Sequence, residues 1–281
     1  MKKILVTGAA GQLGRCIHGI AANYPNFDIV FTSKNELDIE NFKEVSELFD
    51  RESFEYCINT AAYTNVEKAE SEPEKAFSIN AEAVQNLAKV CKKTDTVLIH
   101  ISTDYVFDGK KKTPYTEEDK TNPINVYGAS KLKGEAYIEE THQKHFIIRT
   151  SWLYSQYGHN FYRTVLKFGK EGKILTVTTE QIGTPTNAND LATILLKIID
   201  SGNQAFGIYH FSNGGETTWH GFAEAIFELN PQFDARKLVK TAHYPTFAKR
   251  PKNSVLDNSK FYKYFRVKPT NWKSSVSLIE T

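Results

Sequence analysis

Apolar residues in this chain gather into short runs, separated by longer stretches that repeat at helical spacing. The runs at residues 3–6, 27–31, 56–59, 96–101 and 146–148 are each bounded by small or polar residues. Such runs predict strands buried on both faces. Between them, Ile17, Ile20 and Ala21, then Phe42, Val45, Leu48 and Phe49, mark helices after the first run and over 41–51. A longer helix is predicted over 73–93, opened by Pro73 and flanking acids. Within it Asn80 stands among Phe77, Ile79, Val84 and Leu87, either as a working hydrogen-bonding group or as a side chain turned to water. A further helix holds Leu132 and Ala136. Strands and helices alternate up to residue 151, which predicts an α/β fold with a doubly wound parallel sheet.

Beyond residue 152 the alternation loosens. Helices are expected over 160–169 and 187–200 and from 218, strands over 174–177 and 208–211, and a loop over 181–186. Trp219 shares helical spacing with Phe222, Ala223, Ile226 and Phe227, and reads as core.

Composition narrows the function classes. Of 281 residues, 40% are hydrophobic and 24% charged, with a formal net charge of +2, so nothing drives the chain toward nucleic acid or an anionic membrane. The run after Met1-Lys2-Lys3 is too short for a secretory leader, and no stretch approaches a membrane span. Cys16, Cys57 and Cys91 are widely spaced and odd in number, which reads as reduced core cysteines and a cytoplasmic setting. His142 and His145 lack an acidic or Cys partner at ligand spacing, so no metal site is expected.

Candidate chemistry starts at Thr7-Gly8-Ala9-Ala10-Gly11-Gln12-Leu13-Gly14, between the first strand and the first helix. In that context Gly8 allows a tight turn, Gly11 lets backbone approach a pyrophosphate, and Gly14 lets the helix pack on the sheet. A dinucleotide site is expected there, with Gln12 and Leu13 beside it. The second strand is followed by Thr32-Ser33-Lys34, where the fold commonly carries an acid for the ribose. Without that carboxylate NADPH is favoured over NADH, with Lys34 either pairing with the 2′-phosphate or remaining a solvated turn lysine. Asp38 and Ile39 lie where adenine would be touched, and Ala61, Ala62 and Tyr63 follow the third strand where the cofactor comes close to backbone.

Tyr127 and Lys131 stand four residues apart on a predicted helix, hence on one face. An ammonium beside a phenol lowers the phenol's pKa and makes it a usable acid near neutrality. For these residues alone, a chance pair on an exposed helix is an equal alternative. Thr103 ends the preceding strand, at the edge that faces a cofactor crevice.

Together the glycine turn, Ser102-Thr103 and Tyr127-Gly128-Ala129-Ser130-Lys131 resemble the extended branch of the short-chain dehydrogenase/reductase superfamily. Within that branch the chain is similar to the dTDP-4-dehydrorhamnose reductase family. The more specific stretches are Ala61-Ala62-Tyr63-Thr64, Val66 with Lys68-Ala69-Glu70, Ser102 through Gly109, Arg149-Thr150-Ser151-Trp152, Gly183-Thr184-Pro185-Thr186, and Arg250-Pro251 with Ser254 and Leu256.

The resemblance implies a Rossmann-like dinucleotide-binding domain over 1–151, with elements returning to it within 187–212. The rest, over 152–281, would be mainly a smaller mixed substrate-binding region. It implies Thr103, Tyr127 and Lys131 as the catalytic set. Tyr127 would protonate the C4 oxygen of a keto sugar, Thr103 would polarise the carbonyl, and Lys131 would lower the Tyr127 pKa and hold the nicotinamide ribose. It places Thr64, Val66, Thr103, Asp104, Tyr105, Trp152 and Arg250 around the sugar nucleotide. Trp152 either stacks on sugar or base or sits in the core, and Arg250 either pairs with the diphosphate or is a structural arginine. The product would be an activated rhamnose for surface polysaccharide, made by a monomer or homodimer. Two rivals remain: a sugar-nucleotide dehydratase or epimerase of the same fold, and a non-catalytic cofactor-binding regulatory subunit. A dehydratase wants Asp-Glu after the threonine, and this chain has Asp104-Tyr105.

Overall fold

Six strands pair in parallel to make the central sheet, seen in a computed structural model that describes residues 1–279. In chain order the elements up to residue 150 are β1 (Lys2–Thr7), α1 (Gln12–Ile20), β2 (Phe27–Thr32), α2 (Phe42–Arg51), β3 (Tyr56–Asn59), α3 (Val66–Ala69), α4 (Pro73–Phe77), α5 (Ala83–Lys93), β4 (Val97–Thr103), α6 (Val126–Thr141) and β5 (His145–Thr150). There follow β6 (Leu153–Tyr154), α7 (Phe161–Lys170), β7 (Leu175–Thr178), β8 (Ile182–Gly183), β9 (Thr186–Asn187), α8 (Ala188–Ser201), β10 (Gly207–His210), β11 (Thr217–Thr218), α9 (Trp219–Glu228), β12 (Leu238–Thr241), α10 (Ser259–Phe265) and α11 (Trp272–Val276).

The sheet order is β10-β5-β4-β3-β1-β2. The direction of winding reverses between β1 and β3, so a crevice opens at their carboxyl ends. Alternation along each strand sends side chains to two cores. Ile4 and Val6 meet Ile17, Leu191 and Leu195 under α1 and α8, while Leu5 meets Val45, Leu87 and Ile138 under α2, α5 and α6. The late segment β10 pairs with β5, and Phe261 and Phe265 of α10 pack into the first core. A third cluster, around Tyr154, Tyr162, Phe222, Ile226 and Trp272, holds the C-terminal region together.

Asparagine side chains cap several helices. Asn41, Asn65, Asn125 and Asn160 accept from the third-residue N–H of α2, α3, α6 and α7. By contrast α1 begins at Gly11 with no side-chain cap and no acid in its first turn. Its first N–H groups stay available to an anion.

The helix expected over 73–93 is real but uneven. Between α4 and α5 it widens into a π turn at Ser78–Glu82. Asn80 lies in that turn and is fully buried, so it does not face water. Its Oδ1 accepts from the Tyr63 N–H at 2.9 Å, and its Nδ2 donates to the Tyr63 carbonyl and to Ser130 Oγ, each at 3.0 Å. This one side chain ties the loop after β3 to α6. Among the described residues no helix is long and apolar enough to cross a membrane.

Candidate active site

The carboxyl ends of β1 and β3 enclose a cleft of about 230 Å³ lined by Gly8, Gly11, Lys34, Asp38, Ile39, Ala61 and Ala62, among others. Gly8 has φ +66°, and a Cβ there would lie 2.7 Å from the Ala61 backbone. Only glycine lets the two loops come this close. The bare turn, the uncapped start of α1 and the small residues 61 and 62 fit a dinucleotide pyrophosphate. Leu13 sits in the first core, so what it can offer a cofactor is its backbone N–H. Gly14 is likewise buried. Gln12 Oε1 accepts from Asn160 Nδ2 at 2.6 Å, which fastens the glycine turn to the start of α7.

Lys34 is not a free turn lysine. Its ammonium lies 3.2 Å from Asp38 Oδ2 and 3.0 Å from Glu40 Oε2. Glu40 also lines the cleft, a position not anticipated from the sequence. A 2′-phosphate pairing with Lys34 would draw it away from these two carboxylates. Tyr63 is half-buried, its hydroxyl donating to Glu72 Oε2 at 2.9 Å.

The catalytic candidates do converge. Thr103 ends β4, and Tyr127 and Lys131 lie in the first turns of α6. Thr103 Oγ1 donates to Asp104 Oδ1 at 3.0 Å and accepts from the Tyr105 N–H at 3.2 Å. The Tyr105 and Tyr127 rings meet edge to face at 5.8 Å. The approach of α6 depends on Gly128, where a Cβ would lie 2.1 Å from the Tyr105 carbonyl oxygen. Asp104 is buried, and its Oδ2 has no partner among the described residues. Burial pushes that carboxyl up to about 7, against hydrogen bonds from Ser254 and Thr103.

The helix spacing predicts Lys131 beside the Tyr127 phenol, lowering its pKa. Instead its Nζ turns to β4, 2.6 Å from the Ile101 carbonyl and 3.0 Å from His100 Nε2. Desolvation dominates Tyr127 and raises its pKa, with a hydrogen bond from Thr103 acting the other way. Burial also lowers Lys131 to about 8, opposed by Glu135 one turn further along α6.

The C-terminal region supplies a cavity of about 510 Å³ lined by Phe161, Thr178, Gln181, Trp219, Tyr244 and Arg250, among others. Arg250 also borders a groove of about 1060 Å³ that carries Lys110, Lys111, Lys112, Lys249 and Lys252. Trp152 stacks face to face on Trp219, centroids 3.6 Å apart and planes within 7°. Trp219 packs on the third core cluster, as its spacing predicts, and its partly exposed side also walls the cavity, its Nε1 donating to Gln181 Oε1 at 2.9 Å. Arg250 is paired on one side. Nη2 lies 2.7 Å from Glu67 Oε1, while its buried Nε has no partner among the described residues. The other Glu67 oxygen accepts from the backbone N–H groups of Phe247 and Ala248. Glu67 thus latches the segment carrying Arg250 onto α3, close to Val66 and the exposed Thr64. Nothing local marks Glu67 for this role, since its partners lie more than 170 residues away.

A glycine turn after β1 and a Thr–Tyr–Lys set shared by β4 and α6 mark a dinucleotide-dependent oxidoreductase of the short-chain class. Over residues 1–280 the chain matches the family described as RmlD substrate binding domain, and it belongs to that family. It is 39% identical to a dTDP-4-dehydrorhamnose reductase of Aggregatibacter actinomycetemcomitans, covering 99% of this chain and 98% of the relative. It is 36% identical to the spore coat polysaccharide biosynthesis protein SpsK of Bacillus subtilis, with 98% and 96% covered. Among solved structures, a dTDP-4-dehydrorhamnose reductase from Bacillus anthracis in complex with NADP superposes with TM-score 0.93 at 36% identity, covering 98% of both chains.

Proposed function

We propose that this protein uses NADPH to reduce the C4 keto group of a dTDP-4-keto-6-deoxyhexose, namely dTDP-4-dehydro-L-rhamnose, to dTDP-L-rhamnose. The observation that supports this reading is the meeting of Thr103, at the carboxyl end of β4, with Tyr127 of α6; β4 lies next to β3, whose own carboxyl end helps form the glycine-turn cleft. The bound dinucleotide supplies the hydride.

The chain's own groups do the rest. Tyr127 delivers the proton to the C4 oxygen as negative charge builds there. Thr103 turns its single hydroxyl hydrogen from Asp104 to the same oxygen, while the Tyr105 N–H keeps Oγ1 in place. Lys131 holds the nicotinamide ribose and, once turned toward Tyr127, lowers the phenol's pKa. Gly8, Gly11 and the N–H groups of Gln12, Leu13 and Gly14 bind the pyrophosphate. Asp38, Ile39, Ala61, Ala62 and Tyr63 line the adenosine and ribose side, and Lys34 takes the 2′-phosphate. Arg250 pairs with the sugar nucleotide's diphosphate, while Thr64, Val66 and Trp152 bound the sugar and base. The reaction is cytoplasmic and feeds polysaccharide assembly. Tyr105 stands where a dehydratase would carry its glutamate, which favours simple reduction.

The test is cofactor oxidation with NADPH and NADH across a panel of 4-keto-6-deoxyhexoses linked to dTDP, UDP and GDP. The expected result is fastest oxidation of NADPH with dTDP-4-dehydro-L-rhamnose. No oxidation with any sugar would overturn the reading in favour of a binding role.

A further inference from the structure

A buried line of hydrogen bonds crosses beneath the crevice from β1 to α6. Thr7 Oγ1 donates to Asn59 Oδ1 at 2.7 Å, and the Ala61 N–H donates to the same oxygen at 3.2 Å. A backbone N–H can only donate, so the Asn59 amide is fixed with Oδ1 toward Ala61. Its Nδ2 therefore faces His100 Nδ1, at 3.1 Å. An amide NH₂ also only donates, so His100 Nδ1 accepts and carries no proton. The neutral imidazole then has its proton on Nε2, which points at Lys131 Nζ from 3.0 Å. An ammonium has no lone pair to receive it. A neutral amine does, and can still donate to the Ile101 carbonyl at 2.6 Å.

The surroundings agree. His100 is fully buried and Lys131 only 2% exposed. Burial drives the imidazole well below its ordinary pKa, which keeps it neutral whichever form Lys131 takes. On α6, Glu135 favours the ammonium, but it is committed to Arg149 at 2.6 Å. Tyr127 lies one turn back, and the groups reaching Ser130 and His100 from the π turn and β3, Asn80 and Asn59, are neutral amides.

We propose that His100 is a positioning residue that seats Lys131 on β4 as a neutral amine, so that Lys131 takes up a proton on leaving this seat for the hydroxyls of a bound dinucleotide. The inference rests on the reductase reading only for the dinucleotide's identity.

Calorimetric titration with NADPH at pH 8.5, in two buffers of different ionisation enthalpy, counts the protons. Wild type is expected to take up more than about half a proton per site. In His100→Gln, whose carbonyl can accept from an ammonium at the Nε2 position, the uptake should fall by at least about twofold. Absence of uptake in wild type, or equal uptake in the folded variant, overturns the proposal. Neutron diffraction from wild-type crystals near pH 8.5 needs no variant. Hydrogen on His100 Nε2 and two hydrogens on Lys131 Nζ are expected, and a proton on Nδ1 overturns it. Proton uptake without reduction of any keto sugar would leave this inference standing and remove the substrate assignment instead.

Discussion

Helices α6 and α8 lie on opposite faces of the same sheet and are built on opposite principles. The buried residues of α8 are Ala188, Leu191, Ala192, Ile194, Leu195, Leu196, Ile198 and Ile199, an apolar face that needs nothing but burial. Those of α6 are Gly128, Ser130, Lys131, Gly134, Glu135 and Ile138. Its inward face is nearly all polar or bare, and its position comes from hydrogen bonds. Asn125 caps it and reaches the Lys249 carbonyl, Glu70 accepts from its Val126 N–H, and Asn80 grips Ser130. At its middle, Arg149 forms a two-point pair with Glu135, to which Ser102 also donates. The helix that carries the chemistry is thus placed by directional contacts, and the helix opposite it by area.

Four variants test that division. Tyr127→Phe should lower kcat by about 10²–10⁴-fold, with melting temperature and NADPH affinity nearly unchanged. Turnover near the wild-type rate would remove Tyr127 as the acid. Glu135→Ala leaves the Arg149 guanidinium buried without its partner and should cost about 3–5 kcal/mol in a denaturation experiment. A double change of Glu135 and Arg149 to methionine should recover most of that loss, since an apolar pair needs no compensation. Leu195→Ala on α8 should cost about 2–5 kcal/mol while leaving kcat in place. A large fall in kcat for the folded protein would show that the two faces are coupled.

The smallest effect concerns Asp104. Its folded pKa is raised to about 7, so the fold favours the protonated acid. That contribution to stability is full below about pH 4 and is lost as pH rises through about 7. Asp104→Asn removes the titration. Its melting temperature should fall by a few degrees less than that of wild type between pH 5 and pH 8. Parallel curves would mean that Asp104 is ionised throughout.

The same contrast explains what could be read in advance. The strand runs and α8 were legible because burial writes a period into the sequence. The glycine turn was legible because close backbone approach at Gly8 demands one residue type within a contiguous stretch. The π turn at residues 78–82 left no such trace, since it contains neither proline nor glycine and only shifts the phase of an apolar face. Lys131 was identified by its spacing from Tyr127, but its partners His100 and Ile101 lie on a neighbouring strand, and spacing along one helix says nothing of them. The Glu67 latch and the Trp152–Trp219 pair each join segments more than 60 residues apart, and nothing local marks either one.

Two of the three tryptophans share one stack, with Trp219 on the wall of the cavity next to Arg250. Indoles in parallel contact couple their electronic transitions and absorb polarised light as a unit. The protein therefore carries its own optical gauge of occupancy. A base or sugar that parts the pair would change its coupled ultraviolet absorption, with no added dye and no turnover.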